Sequence, residues 1–460
     1  MSVHAIAGLA ALNLLLLAVG AGILFGLRGW ASWGELLCFS GVAYMLGVAA
    51  TGVVWVLDVA VGIPFGLPAI LGTAAALISC ASLIGYGKGH RLPPCRLERP
   101  RVPRLSLVGG VFAAATIVYL EGAFRAARLA GLYEFDAWAF WVPKAKAIYY
   151  FGGFDEQFFR ELINQSYPPL VPLLEAAAFH FMGSPDVVTL HVQFWFLFVG
   201  FIAAVVGLLS RRVQPIFVWP PLVLMLVTPQ VVGHLYQPTA DFLLDELFVI
   251  AALFIALWLI ERNDWQLVAA GLVLAAAMLT KREGYAFAAS VVVAALVVTT
   301  RERRAVWPRL IAVGVVAAAA TLPWRVLLAL RHLGGGGPEA GGTGLFANLG
   351  RAWPSLRLAL TTLFDYDIWL LVAPLLVVAI LAAFAAGGRT LPLYASLIGI
   401  FAVAAFTYST WAFPSLGIST NPALNPIIRL TGQLVLLTSA LAPLLLARAW
   451  QKGSLESEET

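Results

Sequence analysis

Apolar runs of about 20 residues recur along the chain, separated by short clusters that hold nearly every Arg, Lys, Asp and Glu. A helix rising 1.5 Å per residue needs about that length to cross about 30 Å of hydrocarbon. The runs are continuous and do not alternate, which excludes strands as the main element. The pattern predicts spans at 3–27, 36–57, 67–87, 106–128, 187–209, 214–233, 242–260, 266–280, 285–299, 310–330, 368–386, 391–410 and 431–449. Residues 168–183 (YPPLVPLLEAAAFHFM) are also apolar, but short and Pro-rich at the start, and they carry Glu175 and His180. They read as a re-entrant or interface-lying helix. The first run lacks a basic leader and a small-residue cleavage site, so it reads as a retained helix.

Orientation follows from the basic residues. Lys88, Arg91, Arg96, Arg99, Arg101 and Arg104 crowd one loop against the single acid Glu98, which places that loop in the cytoplasm. Arg211 and Arg212, the 301–309 cluster, Arg389 and the tail from Arg448 to Lys452 then fall on the same side. The N-terminus is expected outside and the C-terminus inside. Counting 168–183 as a span would break this agreement. The outer face then holds segments 129–186, 234–241, the turn at Lys281, 331–367 and 411–430. The Gly-rich stretch 334–344 reads as a slack connector.

Composition agrees with the pattern. Hydrophobic residues make up 61% and charged residues 12% of the 460 positions. A soluble domain carries about a quarter charged residues, so this surface must face lipid. The net charge of +5 sits at the ends of apolar runs, as the positive-inside rule requires, and is no nucleic-acid signature. The three cysteines suggest neither a disulfide framework nor a metal cluster.

Four constellations on the outer face carry candidate chemistry. The densest is Glu134-Phe-Asp136-Ala-Trp138-Ala-Phe140-Trp141-Val-Pro143-Lys144-Ala-Lys146. Trp and Lys at that level anchor helix ends, but acids beside an apolar wall cost free energy and are usually functional or ion-paired. A simple Asp136–Lys144 pair on one helix face is the plain alternative. Tyr149–Asn164 then reads as an amphipathic surface helix. The second is Gln237-Pro-Thr239-Ala-Asp241, with Asp245 and Glu246 a turn deeper. The macrodipole explains Asp241, not the deeper acids. The third is Thr280-Lys281-Arg282-Glu283-Gly284, cations on the side where the rule disfavours them; the fourth is Arg429. His180 and His234 read as interface histidines.

In their order along the chain, these features resemble the type C glycosyltransferases, polytopic enzymes that take sugar from a polyprenyl-phosphate donor. The resemblance rests on the acidic motif at Glu134 and Asp136, the Tyr167-Pro168-Pro169-Leu170 helix start, Asp241, the Thr280-Lys281 turn and a late Arg429. Its departures are the helices before position 106 and the Glu-x-Asp spacing. The expected fold is all-α, with about 13 transmembrane helices and juxtamembrane helices in the first large outer loop. Its parts are extra N-terminal helices at 1–105, a catalytic core at 106–300, C-terminal helices at 301–450 and a tail at 451–460.

The resemblance implies an inverting enzyme in the plasma membrane, working on the extracytoplasmic face. Its partners would be a polyprenyl-phosphate-sugar donor, a glycan, lipid or protein acceptor, and membrane lipids, with no nucleic acid. Asp136 would be the base, with Glu134 beside it as a second catalytic acid. Asp241, Lys281, Arg429, Lys144, Lys146, Tyr167 and Glu283 would bind substrate. A divalent ion (Mg or Mn) stays open as cofactor, with Asp136, Glu134 and Asp241 as candidate ligands. The competing expectation is a transporter or flippase for a lipid-linked or anionic substrate, although no internal repeat is visible.

Overall fold

The computed structural model describes residues 2–94, 107–333, 349–412 and 426–458; the side chains at 108, 409, 412, 426–430 and 452–458 lie outside that description. Most of the basic loop, Cys95, the Gly-rich stretch 334–344 and residues 413–425 therefore lie outside the described residues. The described residues are helical and contain no strand. The protein is an all-α polytopic membrane protein: among the described residues, nine helical stretches are long and apolar enough to cross a bilayer.

The chain begins with α1 (Val3–Leu27), α2 (Trp33–Cys38), α3 (Ser40–Ala60), α4 (Leu67–Gly87) and α5 (Leu107–Ala127). The first large outer segment holds a π-helical turn (Ala137–Trp141), α6 (Val142–Phe151), α7 (Glu156–Glu161) and α8 (Leu170–Met182). Next come α9 (Val187–Leu209), α10 (Pro215–Leu226), α11 (Pro229–His234), α12 (Ala240–Glu261), α13 (Asp264–Thr280) and α14 (Glu283–Val298). The C-terminal part comprises α15 (Arg303–Ala319), α16 (Leu322–Leu330), α17 (Ala352–Leu363), α18 (Tyr366–Trp369), α19 (Val372–Ala385), α20 (Thr390–Ala412) and α21 (Pro426–Glu458).

Several expected elements are broken. The span at 214–233 divides into α10 and α11, since Pro229 at the head of α11 disfavours helix in Thr228 before it. The single surface helix at 149–164 is instead the end of α6 and a separate α7, because Gly152 takes a left-handed conformation (φ 71°) and ends α6. Segment 331–367 is not all connector, since α17 lies within it.

Polar contacts sort into two sets. One joins Arg28 to Glu35 (2.7 Å), Arg211 to Glu35 (2.8 Å), Arg212 to Glu261, Arg262 to Glu302 (2.9 Å) and Arg309 to Asp264 (3.0 Å). The other joins Lys281 to Asp241 (2.7 Å), Arg331 to Glu156 (3.0 Å) and the Phe65 N–H to the Gly152 carbonyl (2.7 Å). Every residue of the first set is inner, and every residue of the second outer, in the threading drawn from charge alone. The names inner and outer follow that threading. Helix α8 fits it as well: its 13 residues reach about 20 Å, short of a crossing. Leu170 at its start meets Gly52 inside α3, while Phe181 at its end meets Gly8 near the outer end of α1.

Helix α12 is the hub. Its side chains from Phe242 to Leu259 are all buried, so an all-apolar circumference is satisfied by neighbours on every side. It packs on α13, α14, α9 and α21. The N-terminal helices are no loose appendage. A Cβ at Gly20 would meet the Ala43 carbonyl oxygen at 1.5 Å, so α1 and α3 touch backbone to backbone. Asn13 of α1 donates to Gln193 of α9 (2.8 Å) and accepts from the Tyr44 hydroxyl of α3 (2.5 Å), inside the membrane layer.

Candidate active site

Two short helices frame the site. Helix α13 has 17 residues and α14 has 16, each about 25 Å and shorter than a 30 Å layer. Gly284 permits the turn between them, since a Cβ there would meet the Ala277 carbonyl at 2.2 Å. Lys281 is thereby held in a recess, 6% exposed. Its ammonium donates to Asp241 at 2.7 Å and lies 3.2 Å from Glu283. Asp241 is in the first turn of α12, and Asp245 lies buried one turn deeper.

Tyr167 joins this pair to the first outer segment. Pro168 and Pro169 confine the backbone and start α8, leaving the tyrosine at the mouth of the recess. Its ring stacks on Trp141 (5.6 Å) and meets Phe140 edge-on (5.7 Å). Lys144, Lys281 and Arg282 all lie over it, at 5.9, 6.0 and 5.5 Å from the ring centre. The phenol is pushed up to about 12, mainly by burial; Lys281 opposes the rise, and Glu283, Asp241 and Asp136 add to it. Those acids, from three separate segments, therefore act on one hydroxyl.

Asp136 is half-buried at the head of the π-helical turn. Such turns are rare and recur at functional sites. Glu134 lies 3.9 Å from His234, and Gln237 donates to the Tyr133 hydroxyl, tying the acidic motif to the segment before α12. A narrow cleft opens beside His234, lined by His234, Thr239, Asp241, Asp245, Trp369 and Gly432 among others. Gly432 of α21 leaves room for the Asp245 carboxylate, which a Cβ would meet at 3.0 Å.

Beyond the cleft is an apolar groove of ≈ 1210 Å³ between α17, α19, α20 and α21, lined by Leu360, Phe364, Ala373, Leu376, Gly399 and Leu434 among others. Leu434 is two residues along α21 from Gly432 of the cleft. Residues two apart on a helix lie on nearly opposite faces, so the cleft and the groove flank α21 on different sides.

The expected residues divide accordingly. Tyr167, Asp241, Lys281 and Glu283 are in direct contact or one step apart, Asp136 acts on the same phenol, and Glu134 lies to the side at His234. Lys144 does not pair with Asp136. It is 1% exposed beneath Phe140, Trp141 and Tyr167, and donates to the Asn164 carbonyl at 2.5 Å. Asn164 adopts a left-handed φ of 54°, which a short polar side chain tolerates. Burial, with Arg282 adding, lowers the Lys144 ammonium to about 7. Lys146 is half-buried and enters none of these contacts. The Arg429 side chain lies outside the described residues.

Asp136, Glu134 and Asp241 do not fit a shared metal ion: Asp241 is taken by Lys281 and Glu134 faces His234. Among the described residues no three carboxylate, imidazole or thiolate groups converge as ligands. Sequence reasoning set His234 aside and gave no weight to Ser166, Trp369 or Gly432. The Arg282 guanidinium donates to the Ser166 hydroxyl. Only Arg282 carried a signal, as a cation beside Lys281 on the disfavoured side.

Compared with protein-family models, curated proteins and solved structures, the chain matches none.

Proposed function

We propose that the protein is a membrane glycosyltransferase that moves a sugar from a polyprenyl-phosphate donor to a hydroxyl acceptor with inversion. The observation that carries this reading is the outer recess, where Lys281 meets Asp241 and Glu283 against the ring of Tyr167 in a membrane-spanning chain. A cation held among acids at that level suits a lipid-linked phosphate whose hydrocarbon chain stays in the bilayer.

In the reaction, Asp136 takes the proton of the acceptor hydroxyl as its oxygen attacks the anomeric carbon. The bond from that carbon to the phosphate oxygen breaks, and polyprenyl phosphate leaves as an anion. Lys281 stabilises the leaving phosphate, with Arg429 as its expected second cation. Asp241 and Glu283 hold the Lys281 ammonium in place, and their remaining oxygens accept hydroxyls of the acceptor. Tyr167, with its proton retained, can donate a hydrogen bond across the recess. The reading assigns the site to the extracytoplasmic face of the plasma membrane on the distribution of basic residues. No step is routed through a metal ion.

A second reading, transport or flipping of a lipid-linked anion, is favoured by one observation. Glu175 and Glu246 are buried within helices at 0% and 1% exposure, and oxygens of both lack hydrogen-bond partners. Carboxylates at such depth often mark ion or substrate paths. Reconstitution separates the readings: wild-type protein in lipid is given polyprenyl-phosphate-linked labelled sugar with a panel of glycan, lipid and peptide acceptors. Label moving into an acceptor, and not in Asp136→Asn, supports the transferase. Donor crossing the bilayer with its sugar still attached sinks it in favour of transport.

A further inference from the structure

A second cavity, of ≈ 940 Å³, opens at the inner end of the C-terminal helices, far from the recess along α21. Its walls come from the α19–α20 turn (Gly387, Gly388, Arg389, Thr390) and the inner part of α21 (Arg448, Gln451), over an apolar floor that includes Leu391 and Leu445. Among the described residues no acid lines it. No hydrogen bond or ion pair joins the guanidinium of Arg389 or Arg448 to a described residue, and both side chains are exposed.

The other inner-face arginine cavity is built differently. There, Arg28, Arg211 and Arg212 line a cavity of ≈ 590 Å³ together with Glu261, and every guanidinium already meets Glu35 or Glu261. In that cluster each guanidinium has a carboxylate partner, three arginines sharing two glutamates, and the pairs fasten the N-terminal helices to the core. In the α19–α21 cavity, two guanidiniums from segments about 60 residues apart face one space, and none of its described lining residues is an acid. Their mutual repulsion is relieved by an anion between them.

The turn is shaped for this. Gly387 takes φ 76°, and the N–H groups of Gly387 and Gly388 cap the end of α19 on the carbonyls of Phe384 and Ala383. The chain then reverses within two residues, bringing Arg389 and the Thr390 hydroxyl to the cavity edge. The N–H groups of Thr390 and Leu391, in the first turn of α20, have no carbonyl of their own helix to bond. Below them Leu391, Pro392 and Leu445 offer an apolar wall at the membrane layer, so a phosphate in the cavity can carry a hydrocarbon tail.

We infer that this inner-face cavity is a phosphate-binding site formed by Arg389, Arg448 and the α19–α20 turn, taking the head of an anionic lipid of that leaflet or free phosphate. The site stands apart from the proposed transferase reading and survives its failure.

The test uses the full chain in phosphatidylcholine nanodiscs with and without phosphatidylglycerol. Lipid retained after extraction is counted by native mass spectrometry, and inorganic phosphate is titrated separately by thermal shift. Wild type is expected to retain phosphatidylglycerol over phosphatidylcholine, with occupancy falling about fivefold for each of Arg389→Gln and Arg448→Gln. Arg303→Gln/Arg304→Gln removes the same charge from the same face away from the cavity and is expected to retain the lipid. A phosphate shift in wild type, absent from the double variant and without lipid retention, assigns the site to free phosphate. If the double variant does not fold, Arg389→Gln alone, in an exposed turn, carries the test. Equal retention by the cavity variants, equal loss in the control, or no response to either probe overturns the inference.

Discussion

Helix α12 carries a carboxylate at each end, and each meets a cation from another segment. At the inner end Glu261 takes both Arg212 nitrogens, and it also accepts from Asn263 (3.0 Å) and Gln266 (2.7 Å). Its oxygens are saturated, and the pair is about a quarter exposed. At the outer end one Lys281 serves both Asp241 and Glu283, Asp245 lies behind them, and an oxygen of Glu283 has no partner. That cluster is recessed, and the unpartnered Glu283 oxygen is buried within it. A saturated ion pair holds helices together. An unsaturated one in a cleft is held in readiness for a ligand, because leftover acceptor oxygens away from water need donors.

The largest way to break this comparison is Asp136→Asn. If the outer acids do chemistry, loss of the base lowers transfer by about 10²–10⁴-fold with thermal stability unchanged. The check is transfer of labelled sugar from a polyprenyl-phosphate donor alongside a melting curve. Unchanged transfer would return Asp136 to the role of interface acid.

Next in size is Lys281→Met. It leaves Asp241 in the recess with its cation removed and is expected to destabilise by about 3–5 kcal/mol. Adding Asp241→Leu should recover much of that loss, since the pair vanishes together. Denaturation of both variants in lipid measures the difference. A single variant as stable as wild type would mean that Asp241 is well hydrated and the recess open.

How far the sequence reveals these features depends on the range of the signal. Run length locates nine of the expected spans among the described residues but misses the break at Pro229 in 214–233, and the ion pairs sort as the expected parity requires. The recess is not legible in these counts, which place the turn at Lys281 only on the outer face. Lys281 is legible as a cation on the disfavoured side, and Asp241 only through the family resemblance, since the macrodipole accounts for it. The fate of Lys144 is not legible, since its partner is a carbonyl aimed by the left-handed turn at Asn164, and no periodicity predicts that. Trp369 and Gly432 are invisible for another reason. They reach the cleft only because α18 packs on α11 and α21 on α12, a long-range fact without a motif.

Lys144 sharpens the comparison through pH. Its ammonium falls from 10.5 to about 7 on burial, so the folded protein must bury a charge below pH 7 and is relieved of it above. Between about 7 and 10.5 the unfolded chain binds the extra proton, so stability rises with pH across that window. Lys144→Met is expected to flatten the rise. Melting of both proteins at the two ends of the window checks it, and parallel curves would show the ammonium to be hydrated.

The smallest expected effect is the most exacting for the comparison. Arg309 and Asp264 pair at 3.0 Å on the inner face, nearly as close as Lys281 and Asp241, but their side chains are 58% and 65% exposed. If burial separates the two faces, Arg309→Gln should shift stability by no more than about 0.5 kcal/mol and leave transfer unchanged, because solvent screens the pair and hydrates what remains. The measurement is the same melting curve and transfer assay used for Lys281→Met. A loss as large as that of Lys281→Met would mean that pair distance governs both faces. The outer recess would then be one more structural clasp, and its unsaturated acids would need another explanation.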